Sequence, residues 1–495
     1  MIEDSVKVDF VNQVTIAWLP FVCDPKDKLV FNRDVVRKVY RQQMKKLARN
    51  PEKKAAVIHS EGKLQDAGHV QWVSKLSKAE QELLKEGDGH FLAWRTVDNE
   101  GSLSTPTRVV FDASLATKSG YSLNDLLAKG INSMNPMVEI VIRYRTYAVA
   151  VHTDIKQMYN VVKLRPEHWK YQRYLWHEEL DESEEPVDKA VTTIIYGVVS
   201  SGNQAECGLR RTAGAQSEEY PEAAACIIND SYVDDIATGS DETSGAQLCA
   251  DIAEVLVRGG FVTKGFTISG EPPPAALSKD GIFIKLLGIL WDSLNDMLRL
   301  AAGGKLNFSK RVRGKKGTGE NAWVIPDKLT LRICSGKTAE IYDLIGLIAP
   351  ILAGFKIDLH ELVLSSYTWD DPLSAADREV WLANFALMET LGEGMWPRNT
   401  IPKNYVEIEF IGCGDASEKI ACAVCYARVL NEDQTYSCHL LLAKSNIVPE
   451  GMSLPRAELM ACTLNTHVTE IVKKSLKHVS RSVFTYLIQK SHCIG

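Results

Sequence analysis

Ser231-Tyr232-Val233-Asp234-Asp235-Ile236-Ala237-Thr238-Gly239 sets two adjacent carboxylates among apolar, β-prone neighbours. The preceding Ala225-Cys226-Ile227-Ile228 reads as a strand, and Ile236-Ala237-Thr238 resumes the pattern. The layout predicts a hairpin with Asp234 and Asp235 at its tip. Aspartate also caps β-turns through its own side chain, so the dipeptide alone reads first as an ordinary solvated turn. A second acid changes the weighing. The apolar run from Thr146 ends in Asp154, and Ile155–Tyr159 turn away toward a short helix. A strand ending in Asp154 beside that hairpin predicts a cluster of three carboxylates. Crowded carboxylates raise one another's pKa unless a cation lies between them. Such a cluster is the arrangement of two-metal phosphoryl transfer.

The rest of the chain bounds this reading. Its 495 residues are enough for two to four domains. Hydrophobic content of 45% and charged content of 24% are those of a soluble globular protein. A net charge of −6 excludes binding of polyanions by bulk charge, so a nucleic-acid surface must be a local patch. Eleven cysteines without framework spacing predict reduced thiols and an intracellular setting. The CxxC at Cys422–Cys425 lies on an apolar run with no second pair, which predicts buried core rather than zinc. The chain has no long apolar run and begins with an acidic segment, so neither a membrane partner nor a signal peptide is expected.

Periodicity predicts a helix from Phe31 through Leu47 with a basic face at Arg33, Arg37, Lys38, Arg41, Lys45, Lys46 and Arg49, and a second over 77–86. That basic face reads as solvated, with a template contact as the alternative. Arg108–Asp112 is a predicted strand, and Met134–Tyr147 a helix leading into the Asp154 strand. Tyr171–Leu180 and Val191–Tyr196 are predicted strands around a solvated acidic tip at Asp181–Pro186. Helices follow at Gly202–Ala215 and Ser244–Gly259. Strand, helix, two strands, helix, strand is the order of a split βαβ sheet. Lys305, Lys310, Arg311, Arg313, Lys315 and Lys316 make a basic insert, read equally as a loose linker or as a track for a phosphate backbone. Residues 326–400 read as helical. Strands at Val406–Gly412, Ile420–Val429 and Tyr436–Leu442 precede a helix from Pro455 to Leu476.

With Asp154 and Tyr232–Asp235 in view, the chain resembles a reverse transcriptase, and more closely the Pao/BEL class of long-terminal-repeat retrotransposon polyproteins. The resemblance is carried by phrases in order: Arg108–Ser114, Ser122–Asp125, Thr153–Tyr159, Arg173–Trp176, Gly259–Phe261, Leu287–Asp292, Ile341–Pro350, Trp369–Pro372, Gly414–Ser417 and Leu454–Leu459. It implies an α+β fold: a right-hand polymerase with fingers, ferredoxin-like palm and thumb, followed by a partial ribonuclease H-like α/β domain. The implied division is 1–104 for an N-terminal helical extension and 105–300 for fingers and palm. Residues 301–400 follow as thumb and connection, and 401–495 as the truncated ribonuclease H-like domain.

The same resemblance implies roles. Asp154 and Asp234, assisted by Asp235, would ligate two Mg²⁺ ions, with Mn²⁺ as a substitute. Arg108 would contact the incoming triphosphate, the alternative being a strand-edge ion pair. Tyr159 would underlie the sugar and reject a 2′-hydroxyl, the alternative being a core tyrosine. Lys264 matches a lysine proposed to protonate pyrophosphate, against the alternative of a surface lysine. Leu287–Asp292 resembles the hairpin that grips the primer end. Asp415 and Glu458 match the first two acids of a ribonuclease H site, but Ser482–Ser491, where the third is expected, has none. Implied partners are an RNA or DNA template-primer, dNTPs and other polyprotein segments. The implied location is a cytoplasmic retroelement particle, with the nucleus as a second place.

Three stretches depart from the family pattern. Gly202 stands where Pro follows the second Ser in Tyr196–Gln204, Gly89–Trp94 lacks Leu-Pro-His-His, and Gly130-Ile131 replaces Gly-Pro. The first is expected to loosen the loop that supports the template base. Two other readings stay open: a non-catalytic, domesticated nucleic-acid-binding protein, and a segment associated with an aspartic peptidase. The second has neither Asp-Thr-Gly nor Asp-Ser-Gly to support it.

Overall fold

The computed structural model describes all residues except 86–87, 99–105, 182, 310–319, 477–481 and 489–495, and for 482–488 the backbone alone. The chain is mixed α/β and divides into two compact units interleaved in sequence. The first holds Met1–Asn135, Thr153–Ile236 and Ala246–Phe266; the second holds Pro136–His152, Ala237–Gly245 and Thr267–Gly495.

In the first unit, helices Arg33–Leu47 and Pro51–Asp66 carry the N-terminal third. Val36, Tyr40, Met44 and Leu47 bury one stripe of the former at helical spacing. Its basic face is not simply solvated: Arg33 pairs with Asp188, and Arg37 and Arg41 both reach Glu185 in the acidic tip. Strands Arg173–Trp176 and Val187–Val191 form an antiparallel sheet with Val70–Trp72. The strand expected at Val191–Tyr196 therefore lies a few residues earlier. Lys189 and Glu61 make a buried ion pair there, and the Tyr174 hydroxyl donates to Glu61 at 2.5 Å, which satisfies charges that could not otherwise be buried. Ala93–Asp98 and Thr107–Asp112 form a separate hairpin.

The four-stranded sheet around Asp154 runs in the order Ser231–Tyr232, Asp235–Ser240, Val149–Ile155, Thr263–Ile268. Numbered from the Asp154 strand, that is 2-3-1-4, the split βαβ order read in the opposite direction. The first unit holds the strand ends beside Asp154, Asp234 and Lys264. One expectation is overturned here. Ala225–Ile228 is not a strand but part of the helix Pro221–Asp230. Pro221 presets its first turn, three alanines follow, and Ala223, Ala224, Cys226 and Ile227 bury a helical stripe.

In the second unit, Phe283–Leu286, Ile289–Asp292, Met297–Leu300 and Met395–Pro397 form an antiparallel sheet. Arg398 is fully buried and forks onto Asp296 at 2.6 and 2.8 Å while donating to the carbonyls of Tyr144 and Tyr147. Helices Leu331–Thr338, Ala349–Leu364 and Ala375–Thr390 follow. The last sheet has the order Tyr436–Ile447, Ile420–Asn431, Tyr405–Ala416, Ser482–Ile488, its fourth strand parallel to Tyr405–Ala416. Helix Leu454–Ser475 lies against it because Gly412 and Gly414 leave room. A Cβ at Gly412 would stand 2.3 Å from Thr469 Oγ1, and one at Gly414 2.8 Å from the Ala461 carbonyl oxygen.

Candidate active site

The hairpin tip is built on strain. Tyr232 pairs with Asp235, leaving Val233-Asp234 as a two-residue turn. Val233 has φ +55°, a left-handed conformation that a β-branched residue rarely adopts. Primed hairpin turns need a positive φ at that place, and the cost of meeting it with valine is on the order of 1–3 kcal/mol. The Ile155 amide donates to the Asp234 carbonyl at 2.7 Å, which fastens the tip to the end of the Asp154 strand. Burial pushes the Asp234 carboxyl up to about 6, and the charges of Asp154 and Asp235 push the same way. Asp154 and Asp234 thus lie close enough to feel each other.

Lys264 completes this group. The Lys156 amide donates to the Val262 carbonyl and Thr153 Oγ1 to the Gly265 carbonyl, both at 2.7 Å. These bonds bracket Asp154 and Lys264, and Lys264 Nζ lies 2.7 Å from Asp154 Oδ1. The three-carboxylate cluster expected from sequence is not assembled as a ligand set. Among the described residues no three His, Cys, Asp or Glu side chains stand together in a metal-holding arrangement. Asp154 is drawn to Lys264, and Asp235 follows Asp234 in the chain, at the base of the turn. The donors that remain still fit a hard divalent ion. Two crowded carboxylates supply hard oxygens, and Mg²⁺ is often held by one or two carboxylates with substrate phosphates completing its shell.

Two aromatics border the acids. Tyr159 follows Gln157, whose φ of +51° bends the chain into the helix Met158–Val161. Its ring packs on Tyr196 at 4.1 Å between centroids, tilted by 44°. Burial raises the hydroxyl pKa of both tyrosines, and the Asp234 charge adds to each. Tyr196 was not singled out from sequence, although it opens the departing stretch Tyr196–Gln204; its signal was an aromatic just before Gly197. Gly197 has φ +101°, and a Cβ there would stand 2.3 Å from the Phe111 carbonyl oxygen. That close approach seats Tyr196 against the strand Thr107–Asp112 that carries Arg108. Arg108 is exposed and near enough for its charge to ease ionisation of Tyr196. Gly202, where the sequence resemblance led us to expect proline, lies where a Cβ would meet Tyr159 Oη at 3.5 Å.

The expected hydrolase remnant is placed differently. Gly414 faces helix Leu454–Ser475, which carries Glu458, so its neighbour Asp415 points to the other face of the strand. Asp415 pairs with Cys422 and lines a cavity of about 790 Å³ with Cys413 and the start of helix Ala349–Leu364. Asp415 and Glu458 therefore spring from opposite sides of the sheet. Lys310, Arg311, Arg313, Lys315 and Lys316 lie outside the described residues.

Residues 330–487 match the family model of the Pao retrotransposon-like RNaseH-like domain. That segment is similar to the Pao retrotransposon family. The Pao-like segment takes in the helices from Leu331 and the whole four-stranded sheet with its crossing helix. No curated protein sequence matches the chain. Two solved structures are similar to it at 11% identity and a TM-score of 0.44. One is the foamy viral protease-reverse transcriptase dRH in complex with double-stranded DNA, matched over 86% of this chain and 68% of that one. The other is the foamy viral protease-reverse transcriptase with an RNA/DNA hybrid, matched over 81% and 51%. The chain spans about half the length of the second.

Proposed function

We propose that this chain is an RNA-directed DNA polymerase of a Pao-type element, acting with dNTPs on a primed template. The observation that carries the reading is the junction of the Asp154 strand with the Asp234 turn, which brings two carboxylates within range of each other at adjacent strand ends. Asp154 and Asp234 would hold Mg²⁺, or Mn²⁺ in its place, with Asp235 adding negative charge behind them. When bound, such ions lower the pKa of a primer 3′-hydroxyl and neutralise charge on the triphosphate. The chain's own residues position the reactants. Arg108, exposed on its hairpin, offers a guanidinium fork to phosphate oxygens. The Tyr159 ring, backed by Tyr196, forms a floor against which a 2′-hydroxyl would collide. Lys264, beside Asp154, would donate a proton to the departing pyrophosphate. The proposal includes other polyprotein segments as partners and a cytoplasmic particle as the setting, with the nucleus as a second place.

Hydrolysis of the RNA strand is not included, because Asp415 and Glu458 spring from opposite sides of their sheet. A second reading has a specific observation in its favour. With Lys264 already on Asp154 and no three-ligand set among the described residues, the site would also suit a copy that holds nucleic acid without extending it. Primer extension on poly(rA)/oligo(dT), comparing the chain with Asp234→Asn, separates the two. Incorporation by the former and none by the latter is expected. Equal incorporation, or none from either, defeats the polymerase reading.

A further inference from the structure

An ammonium already occupies part of the acidic site. Asp154, Asp234 and Asp235 bring three negative charges to it, and Lys264 brings one positive charge, with Nζ 2.7 Å from Asp154 Oδ1. The pair is fixed from the backbone, because hydrogen bonds from Lys156 and Thr153 to the Lys264 strand set the register on both sides of it. Gly265, immediately after Lys264, has φ +112°, a conformation that strongly favours glycine. The Lys264 and Asp154 side chains are 32% and 21% exposed. They are shielded enough for the attraction to matter, yet open enough for a flexible four-carbon stem to swing out.

We propose that Lys264 is a tethered counter-ion that holds Asp154 in the cation-free protein and competes with the incoming divalent ion for that carboxylate. This inference rests on the reading that Asp154 and Asp234 share such an ion. A doubly charged ion between two carboxylates outcompetes one ammonium on one of them, so entry of the metal frees Lys264. The freed side chain then lies beside the phosphates of a bound nucleotide rather than on the protein. Lys264 is thus a positioning residue whose charge sets the affinity for metal.

The test measures Mn²⁺ binding to the full chain without nucleotide or nucleic acid, by loss of the free Mn²⁺ electron paramagnetic resonance signal. Circular dichroism checks the fold of each variant. Lys264→Met removes the competitor and is expected to bind Mn²⁺ about tenfold more tightly than the unchanged chain, the scale of a partly shielded ion pair. Lys264→Arg keeps the charge and should bind within about twofold of the unchanged chain. Asp234→Asn should lose binding. If Lys264→Met does not fold, Lys264→Gln supplies the same comparison. Equal or weaker binding by the neutral variant, with binding still abolished by Asp234→Asn, overturns the counter-ion role and leaves the polymerase reading standing. Absence of Mn²⁺ binding in the unchanged chain and in every folded Lys264 variant overturns both.

Discussion

Asp234 is a carboxylate held against its own ionisation. Its pKa of about 6 stands above the ordinary 3.8 because burial and two neighbouring acids disfavour the charge. The folded state therefore holds that proton more tightly than the unfolded chain does. Without divalent ions, the fold pays no penalty at this residue below about pH 4, and stability falls as pH rises from there through about 6. The loss is on the order of 2–3 kcal/mol. Asp234→Asn, measured by urea unfolding across this range, should match the unchanged chain near pH 3.5 and exceed it in stability at pH 7.5. His90 has the opposite sign. It is fully buried, and burial pulls its pKa down to about 4 from 6.5. The unfolded chain binds the proton better, so stability is lost as pH falls below about 6.5. His90→Leu should flatten that acid limb, which the same titration reads. On the proposed polymerase reading, truncating Tyr159 to Ala removes the ring that would underlie the sugar. The dNTP-over-rNTP preference in single-nucleotide incorporation should fall by at least about tenfold, the factor for ~1.4 kcal/mol.

Secondary elements divide into those whose pattern is local and those set by packing. The helix Arg33–Leu47 and the strand Thr107–Asp112 follow their own periodicity and were legible from it. Ala225–Ile228 was not, because a short apolar run suits strand and helix alike, and Pro221 with the alanines decided for helix. The hairpin was read in the right place, but its turn is Val233-Asp234, with Asp235 already opening the second strand, and its strain was not read. Nothing in Tyr232–Asp235 announces that a valine takes φ +55°. Val233→Gly relieves that strain at some entropic cost, for a net gain on the order of 1 kcal/mol in unfolding free energy. It should also lower primer extension, since the looser tip no longer aims Asp234. The pairing of Tyr159 with Tyr196 was hidden because it joins residues far apart in sequence through the Gly197 bend. In the second unit the glycines of Tyr405–Ala416 set how closely the crossing helix packs. Gly412→Ala should cost on the order of 1–3 kcal/mol by overpacking against Thr469, measurable by chemical denaturation.

At the scale of the molecule, charge and composition say little about function. A net charge of −6 belongs to a chain whose exposed cations are partly tied to its own acids, as Arg37 and Arg41 are to Glu185. The Pao-like match lies in residues 330–487, whereas the carboxylates on which the proposed polymerase chemistry rests lie in the first unit. Family likeness and proposed activity thus rest on different parts of the chain, and the physical claim joining them is that Asp154 and Asp234 share one cation site. Iron-directed cleavage tests it most directly. Fe²⁺ placed in the divalent site of the full chain and supplied with ascorbate and peroxide cuts the backbone nearest the metal. The account predicts cuts around both 153–157 and 232–236, suppressed together by excess Mg²⁺ and lost together in Asp154→Asn. Cleavage at only one of the two segments, or at neither, would contradict it.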